Sequence, residues 1–206
     1  MNANASLSRR PPRRFWGWGL ADAALDPREH AIVQAMLASV DAHFEDKPAP
    51  RVEEFDLASP RVAPPATLAA SFSAMPLDRL NHSGGKSYAD CARMWLRRPP
   101  SAPDWVTYPE DEQAIVDILD WAQARNVAVI PYGGGSSVCG GVEAAVGSGY
   151  AGAVSIDLER LNRVLEVDPV SRAARIQAGA LGPELVTQLK AHGLTLRHFP
   201  QSFEFS

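Results

Sequence analysis

Pro131-Tyr132-Gly133-Gly134-Gly135-Ser136-Ser137-Val138-Cys139-Gly140-Gly141 is the stretch whose residue types and spacing best suit chemistry at a charged group. Successive glycines allow positive φ and carry no Cβ, so several backbone N–H groups can converge into a concave nest that an anion approaches closely. Ser136 and Ser137 add short hydroxyl donors. A diphosphate suits such a nest, because several oriented donors can solvate its charge without a lysine. Eight of the fifteen glycines lie between Gly133 and Gly152. Their concentration directly after an apolar run favours the nest over a merely tight surface turn.

Two other phosphate motifs fail letter by letter. Gly135 and Gly140 have the spacing of G-x-x-x-x-G-K-[ST], but Gly141 and Val142 stand where Lys and Ser/Thr belong. A G-x-G-x-x-G would need glycine at Val138 and should open a helix, whereas Glu143–Gly152 contains three more glycines. No helix dipole backs the loop, so the nest itself must carry the anion.

The elements that must hold this loop read as alternating strand and helix. Trp105–Thr107 reads as a short strand, Glu110–Arg125 as an amphipathic helix with Ile115, Ile118, Leu119 and Ala122 on one face, and Val127–Ile130 as a buried strand. Together they form a β-α-β unit. After the loop come strands near Ala153–Leu158, Val164–Val167 and Ala174–Ala178, a helix from Pro183 to about His192 closed by Gly193, and a last strand near Leu194–Leu196. Upstream, Asp26-Pro27-Arg28-Glu29 starts a helix running to about Phe44. Five prolines between Pro48 and Pro65 mark a linker or an extended wrapping segment and the best candidate boundary. Arg9, Arg10, Arg13 and Arg14 read as a solvated basic arm anchored by Phe15-Trp16-Gly17-Trp18-Gly19.

The 206 residues are 46% hydrophobic and 21% charged with a net charge of -4, a globular composition that gives no general attraction to nucleic acid. Seventeen of the twenty basic residues are arginine. Cys91 and Cys139 are too few and too far apart for a disulfide scaffold or a zinc site, so no metal is expected. No run approaches the roughly 18 apolar residues of a membrane helix, and the N-terminus lacks the apolar stretch of a secretory signal, which makes a cytoplasmic location the expectation. His30, His43 and His192 read as helix-surface residues, His82 as structural and His198 as a weak candidate beside the last segment; no Ser-His-Asp grouping is visible, and the catalytic residues stay unassigned.

The order of motifs resembles the flavoproteins of the vanillyl-alcohol oxidase and p-cresol methylhydroxylase superfamily, and within it the alkyldihydroxyacetonephosphate synthases and their bacterial FAD-linked oxidase relatives. Pro131–Gly141 looks like their diphosphate-cradling loop. Trp16-Gly17-Trp18-Gly19 is similar to their W-G-W-G. Arg79, His82, Gly85, Ser87 and Asp90 resemble R-x-x-H-x-x-G-x-S-x-x-D, with Lys86 where the pattern carries Gln or His. Pro103–Val106, Ser155–Leu158, Leu161–Leu165, Ala178-Gly179, Glu184-Leu185 and Pro200–Ser206 follow in the family's order.

The resemblance implies an α+β fold: residues 101–206 as the N-terminal part of an FAD-binding domain of the p-cresol methylhydroxylase type, incomplete at its C-terminal end, and residues 1–100 as a helical, proline-rich extension. FAD is the implied cofactor. Its diphosphate would lie on Gly133, Gly134, Gly135, Ser136 and Ser137, with Pro131, Val138 and Gly141 shaping the adenine side. Pro200, Gln201, Ser202, Glu204 and Ser206 would reach toward the flavin. Relatives that tether the flavin through this loop have a histidine near the third glycine; Gly135 excludes tethering there. The implied activity is exchange of an acyl group for a fatty alcohol at the flavin, or, in sister enzymes, hydride removal from a 2-hydroxy acid. The resemblance further implies a small-molecule or lipid-precursor substrate in the full-length enzyme and allows a homodimer. It places the acid/base residues beyond Ser206, so these 206 residues alone should be inactive. A noncatalytic nucleotide-binding module is the alternative from another class.

Overall fold

Local chemistry sets the helix ends. The computed structural model describes residues 6–24, 26–40 and 47–206. Asp26 caps α1 (Pro27–Ala38) by accepting from the amides of Arg28 and Glu29 at 2.7 and 2.9 Å, while Glu29 accepts in return from the Asp26 amide. The helix stops six residues short of Phe44, with Ser39 at its C-cap donating from Oγ to the Met36 carbonyl at 2.7 Å; Phe44 itself lies outside the described residues. Then follow β1 (Phe72–Ser73), α2 (Pro76–Asn81), α3 (Tyr88–Trp95) and β2 (Trp105–Thr107). α4 (Glu112–Arg125) begins two residues later than expected because Asp111 caps it, accepting from the Ala114 amide at 2.8 Å; Asn126 ends it in the left-handed conformation. β3 (Val127–Tyr132), β4 (Gly152–Asp157), β5 (Val164–Asp168), β6 (Ala173–Ile176) and α5 (Gly182–Lys190) complete the series. The strand expected at Leu194–Leu196 is absent: the Leu194 amide closes α5 by donating to Leu189 at 3.1 Å, and those residues pair with no strand.

The main sheet has the order β1-β2-β4-β3, with β2, β4 and β3 parallel and β1 antiparallel at the edge. The β-α-β reading holds in direction but not in adjacency, since β4 inserts between β2 and β3. All six residues of β4 are buried, as a central parallel strand requires. α4 lays Ile118 and Ala122 on Phe72, Val127, Val154 and Ile156, with Trp105 and Trp121 closing the layer. A second cluster joins Phe15, Phe55, Leu80 and Met94. β5 and β6 form a separate antiparallel hairpin. No described helix is long and apolar enough to cross a membrane.

The proline-rich stretch wraps around this core. Phe55 is buried, and Trp105 donates from Nε1 to the Val62 carbonyl at 2.7 Å. Asp104, 3% exposed, accepts from the amides of Arg61 and Ala153 at 2.8 and 2.7 Å and from the Arg61 guanidinium at 2.7 Å. Burial pushes this carboxyl up, but the bonds from Arg61 and Ala153 outweigh it and hold it below the ordinary carboxylate range. Because the folded value lies below the unfolded one, the contribution is present above pH ~4 and is lost as pH falls through the folded value. Asp104→Ala should cost about 3 kcal/mol at pH 7. In thermal melts at pH 7 and pH 3, Asp104→Asn should lose less stability on acidification than the unaltered protein; equal losses would contradict this account.

Candidate functional site

The glycine-rich loop leaves the carboxyl end of β3, at the edge of the sheet where β4 also ends in Asp157. Three of its carbonyls are tied down from outside. Arg10 Nη1 donates to the Gly133 carbonyl at 2.7 Å, Arg13 Nη1 to the Gly134 carbonyl at 2.7 Å, and the Lys86 amide to the Ser137 carbonyl at 2.7 Å. In a planar trans peptide the C=O and the next N–H point in opposite directions. The amides of Gly134, Gly135 and Val138 therefore face away from those partners. Among the described residues, no amide from Gly133 to Val138 donates a hydrogen bond. The loop offers N–H groups and no free acceptor at its first two glycines, the polarity an anion needs.

Two glycines here have no substitute. Gly135 has φ +70°, and a Cβ on it would overlap the Tyr132 hydroxyl, which donates to the Asn81 carbonyl at 3.0 Å. A Cβ on Gly134 would overlap the Phe205 carbonyl. That overlap shows how closely the C-terminal segment lies on the nest. Ser206 Oγ donates to Ser136 Oγ at 2.7 Å, and the Ser206 carbonyl accepts from the Gly182 amide at 3.0 Å.

An open groove of about 680 Å³ runs between loop and C-terminal segment, lined by Trp18, Lys86, Val138, Gln201, Ser202 and Glu204 among others. Its size falls in the range of small-molecule sites. Of the residues expected from sequence, the structure thus brings Gly134, Ser136, Val138, Gln201, Ser202, Glu204 and Ser206 together. Gly133, Gly135 and Ser137 shape the loop that carries them. Pro131 is exposed in β3, Pro200 precedes the last turn, and Gly141 donates its amide to Ser137 Oγ at 3.3 Å; of the expected residues only Val138, Gln201, Ser202 and Glu204 line the groove, and Gly133–Ser137 and Ser206 lie beside it.

The arm is where sequence reasoning missed most. Arg10 is half-buried, its side chain 13% exposed. It donates to the Gly133 and Gly179 carbonyls at 2.7 Å each and lies 3.8 and 3.9 Å from Asp157 and Glu159, whose side chains are 5% and 2% exposed. His82, also buried, sits with Nδ1 2.7 Å from the Asp78 carbonyl and Nε2 3.0 Å from Asp157. Both of its ring nitrogens are thus taken up by protein groups. Lys86 donates from Nζ to the Arg14 and Phe15 carbonyls at 2.9 and 3.3 Å, and burial lowers its pKa to about 8. Burial likewise pushes the Tyr108 and Tyr132 phenols up. The exposed Cys139 thiol, 3.6 Å from Ser137 Oγ, is held below its ordinary value by that hydroxyl and the Gly141 amide. The arginine cluster was the available signal, but nothing in it told buried from solvated. Among the described residues no three potential ligands cluster for a metal.

A parallel sheet with a side-chain-free, donor-rich loop at a strand's carboxyl end defines a nucleotide-binding α+β protein. Residues 103–206 match the family model for the FAD binding domain, and the chain belongs to that family, with FAD as its cofactor. It is 40% identical over 130 residues to alkyldihydroxyacetonephosphate synthase of Dictyostelium discoideum, covering 63% of this chain and 21% of that protein. A solved structure of alkyldihydroxyacetonephosphate synthase superposes with a TM-score of 0.80 at 29% identity, covering 94% of this chain and 41% of that one. D-2-hydroxyglutarate dehydrogenase of Xanthomonas citri pv. viticola is more distant, 36% identical over 87 residues, which is 42% of this chain and 17% of that protein. The chain spans about a fifth of the length of the curated relatives it matches.

Gly135→Ala should weaken FAD binding by at least about ten-fold, through a positive φ costing ~1 to 2 kcal/mol and displacement of Tyr132. Gly147→Ala, at a position open on all sides, should leave it unchanged; titration of flavin fluorescence compares them. Lys86 gives a pH test. Its folded value lies below the ordinary 10.5, so the cost of burying its charge is relieved as pH rises from about 8 toward the unfolded value. Chemical denaturation should show this rise in the unaltered protein and not in Lys86→Met.

Proposed function

We propose that these residues are the N-terminal part of an FAD-dependent oxidoreductase-type enzyme resembling alkyldihydroxyacetonephosphate synthase, acting on an ether-lipid precursor in the full-length protein. The observation that carries this reading is the run of undonated amides from Gly133 to Val138, with the first two carbonyls already taken by arginines. Gly133, Gly134, Gly135, Ser136 and Ser137 hold the diphosphate, and Val138, on the groove, flanks the adenine side. The segment Pro200–Ser206 approaches the flavin across the groove. When bound, the isoalloxazine supplies the redox chemistry, and this part of the chain binds and orients it. Residues 1–100 act as an extension that wraps the domain formed by 101–206. The cytoplasm, a reducing setting consistent with two unpaired cysteines, and a homodimer belong to the same reading.

Hydride removal from a 2-hydroxy acid is the second reading, supported by the more distant dehydrogenase relative. The two share the cofactor site and differ in residues that contact substrate.

Purified protein incubated with FAD and passed through gel filtration should retain flavin absorbance, released on denaturation. Retention of ATP in its place would overturn the reading. Alkylation of Cys139 should slow once FAD is bound while that of Cys91 is unchanged, as mass spectrometry of the labelled peptides would show.

A further inference from the structure

Arg10 and Arg13 hold adjacent carbonyls of the same loop, but their surroundings differ. Arg10 spends its donors on Gly133 and Gly179 and has two carboxylates within 4 Å. Arg13 donates one hydrogen bond, to the Gly134 carbonyl at 2.7 Å, and packs its guanidinium 4.8 Å from the centre of the Phe205 ring. Among the described residues no carboxylate lies within ion-pair distance of it. A guanidinium carries five N–H donors. Arg13 is thus a half-buried cation resting behind the loop, on the side opposite the Gly135 amide.

We propose that Arg13 is a positioning residue for the cofactor diphosphate: it aims the Gly135 amide by holding the Gly134 carbonyl, and its charge, on the far side of that peptide, polarises the amide toward the anion. The inference rests on the nest reading above. A cation bound at the carbonyl of a peptide strengthens the hydrogen bond that the amide of the same peptide donates. Burial, with the nearby charge of Arg10, pushes the Arg13 pKa below its ordinary value against the opposing pull of Tyr132, Asp157 and Glu159. The Phe205 ring ties the same side chain to the C-terminal segment, so Arg13 couples the arm, the loop and the segment beside the groove.

Three substitutions separate the two roles. Arg13→Leu removes donor and charge, Arg13→Gln keeps a donor for the Gly134 carbonyl without charge, and Arg13→Lys keeps both in a shorter, single-headed form. Calorimetric titration with FAD and with ADP should show Arg13→Leu weaker by about ten-fold or more for both, Arg13→Gln intermediate, and Arg13→Lys within about three-fold of the unaltered protein. Ligand-free melting temperatures of the Gln and Lys variants should stay near that of the unaltered protein. ADP should also shift the Gly134 and Gly135 amide resonances in the unaltered protein. Affinity unchanged in Arg13→Leu would overturn the inference. So would a loss that Lys does not rescue and that parallels a fall in ligand-free melting temperature. If Arg13→Leu fails to fold, the Gln and Lys variants decide between the same outcomes. Failure of the unaltered protein to bind FAD or ADP would instead remove the nest reading, and the inference with it.

Discussion

A peptide group cannot point its carbonyl and its following amide to the same side, and the site depends on that rule. Fixing the carbonyls of Gly133, Gly134 and Ser137 to Arg10, Arg13 and the Lys86 amide turns the following amides the other way and leaves them unspent. Glycine makes the turn sterically possible, but glycine alone leaves the direction open. The partners that choose it come from the N-terminal arm and from the turn between α2 and α3. A loop often described as flexible is here braced from behind.

The brace is itself held by buried charge. Asp157 at the end of β4 and Glu159 just beyond it are nearly inaccessible and share Arg10, with His82 completing the set. Glu159 also accepts from Ser8 Oγ at 2.7 Å and the Arg9 amide at 2.5 Å, so the arm is stitched to the sheet along several residues. Buried ionic groups stabilise only when fully partnered, and removal of any member leaves the others uncompensated. The arm, the R-x-x-H stretch and the carboxyl edge of the sheet therefore form one unit in which the nest is the exposed product. The C-terminal segment adds the second wall, through Ser206 on Ser136 and Phe205 between Trp18 and Arg13.

Much of this was legible in the chain. The strand at Trp105–Thr107 has its expected bounds, β3 and β4 lie where apolar runs place them, and both capped helices begin at or near their acidic caps, because these features are set by neighbours within a few residues. The short α2 and α3 and the two-residue β1 escaped notice for the opposite reason: too few residues to show a period, and held by packing on distant partners. The strand anticipated at Leu194–Leu196 had β-forming residues but no free edge to join.

Sequence by itself determined that three glycines and two serines follow a buried strand with no lysine nearby in the chain and, through motif order, that FAD is the cofactor. Only the tertiary structure decided that β4 runs between β2 and β3, that Arg10 is drawn in against two carboxylates while Arg9 is exposed, and that Arg13 meets Gly134 across 121 residues of chain. Residue type and spacing encode what a backbone can do locally. Which carbonyl a distant guanidinium reaches is set by how the whole chain packs, because that contact is stabilised by burial and opposite charge supplied from several segments at once.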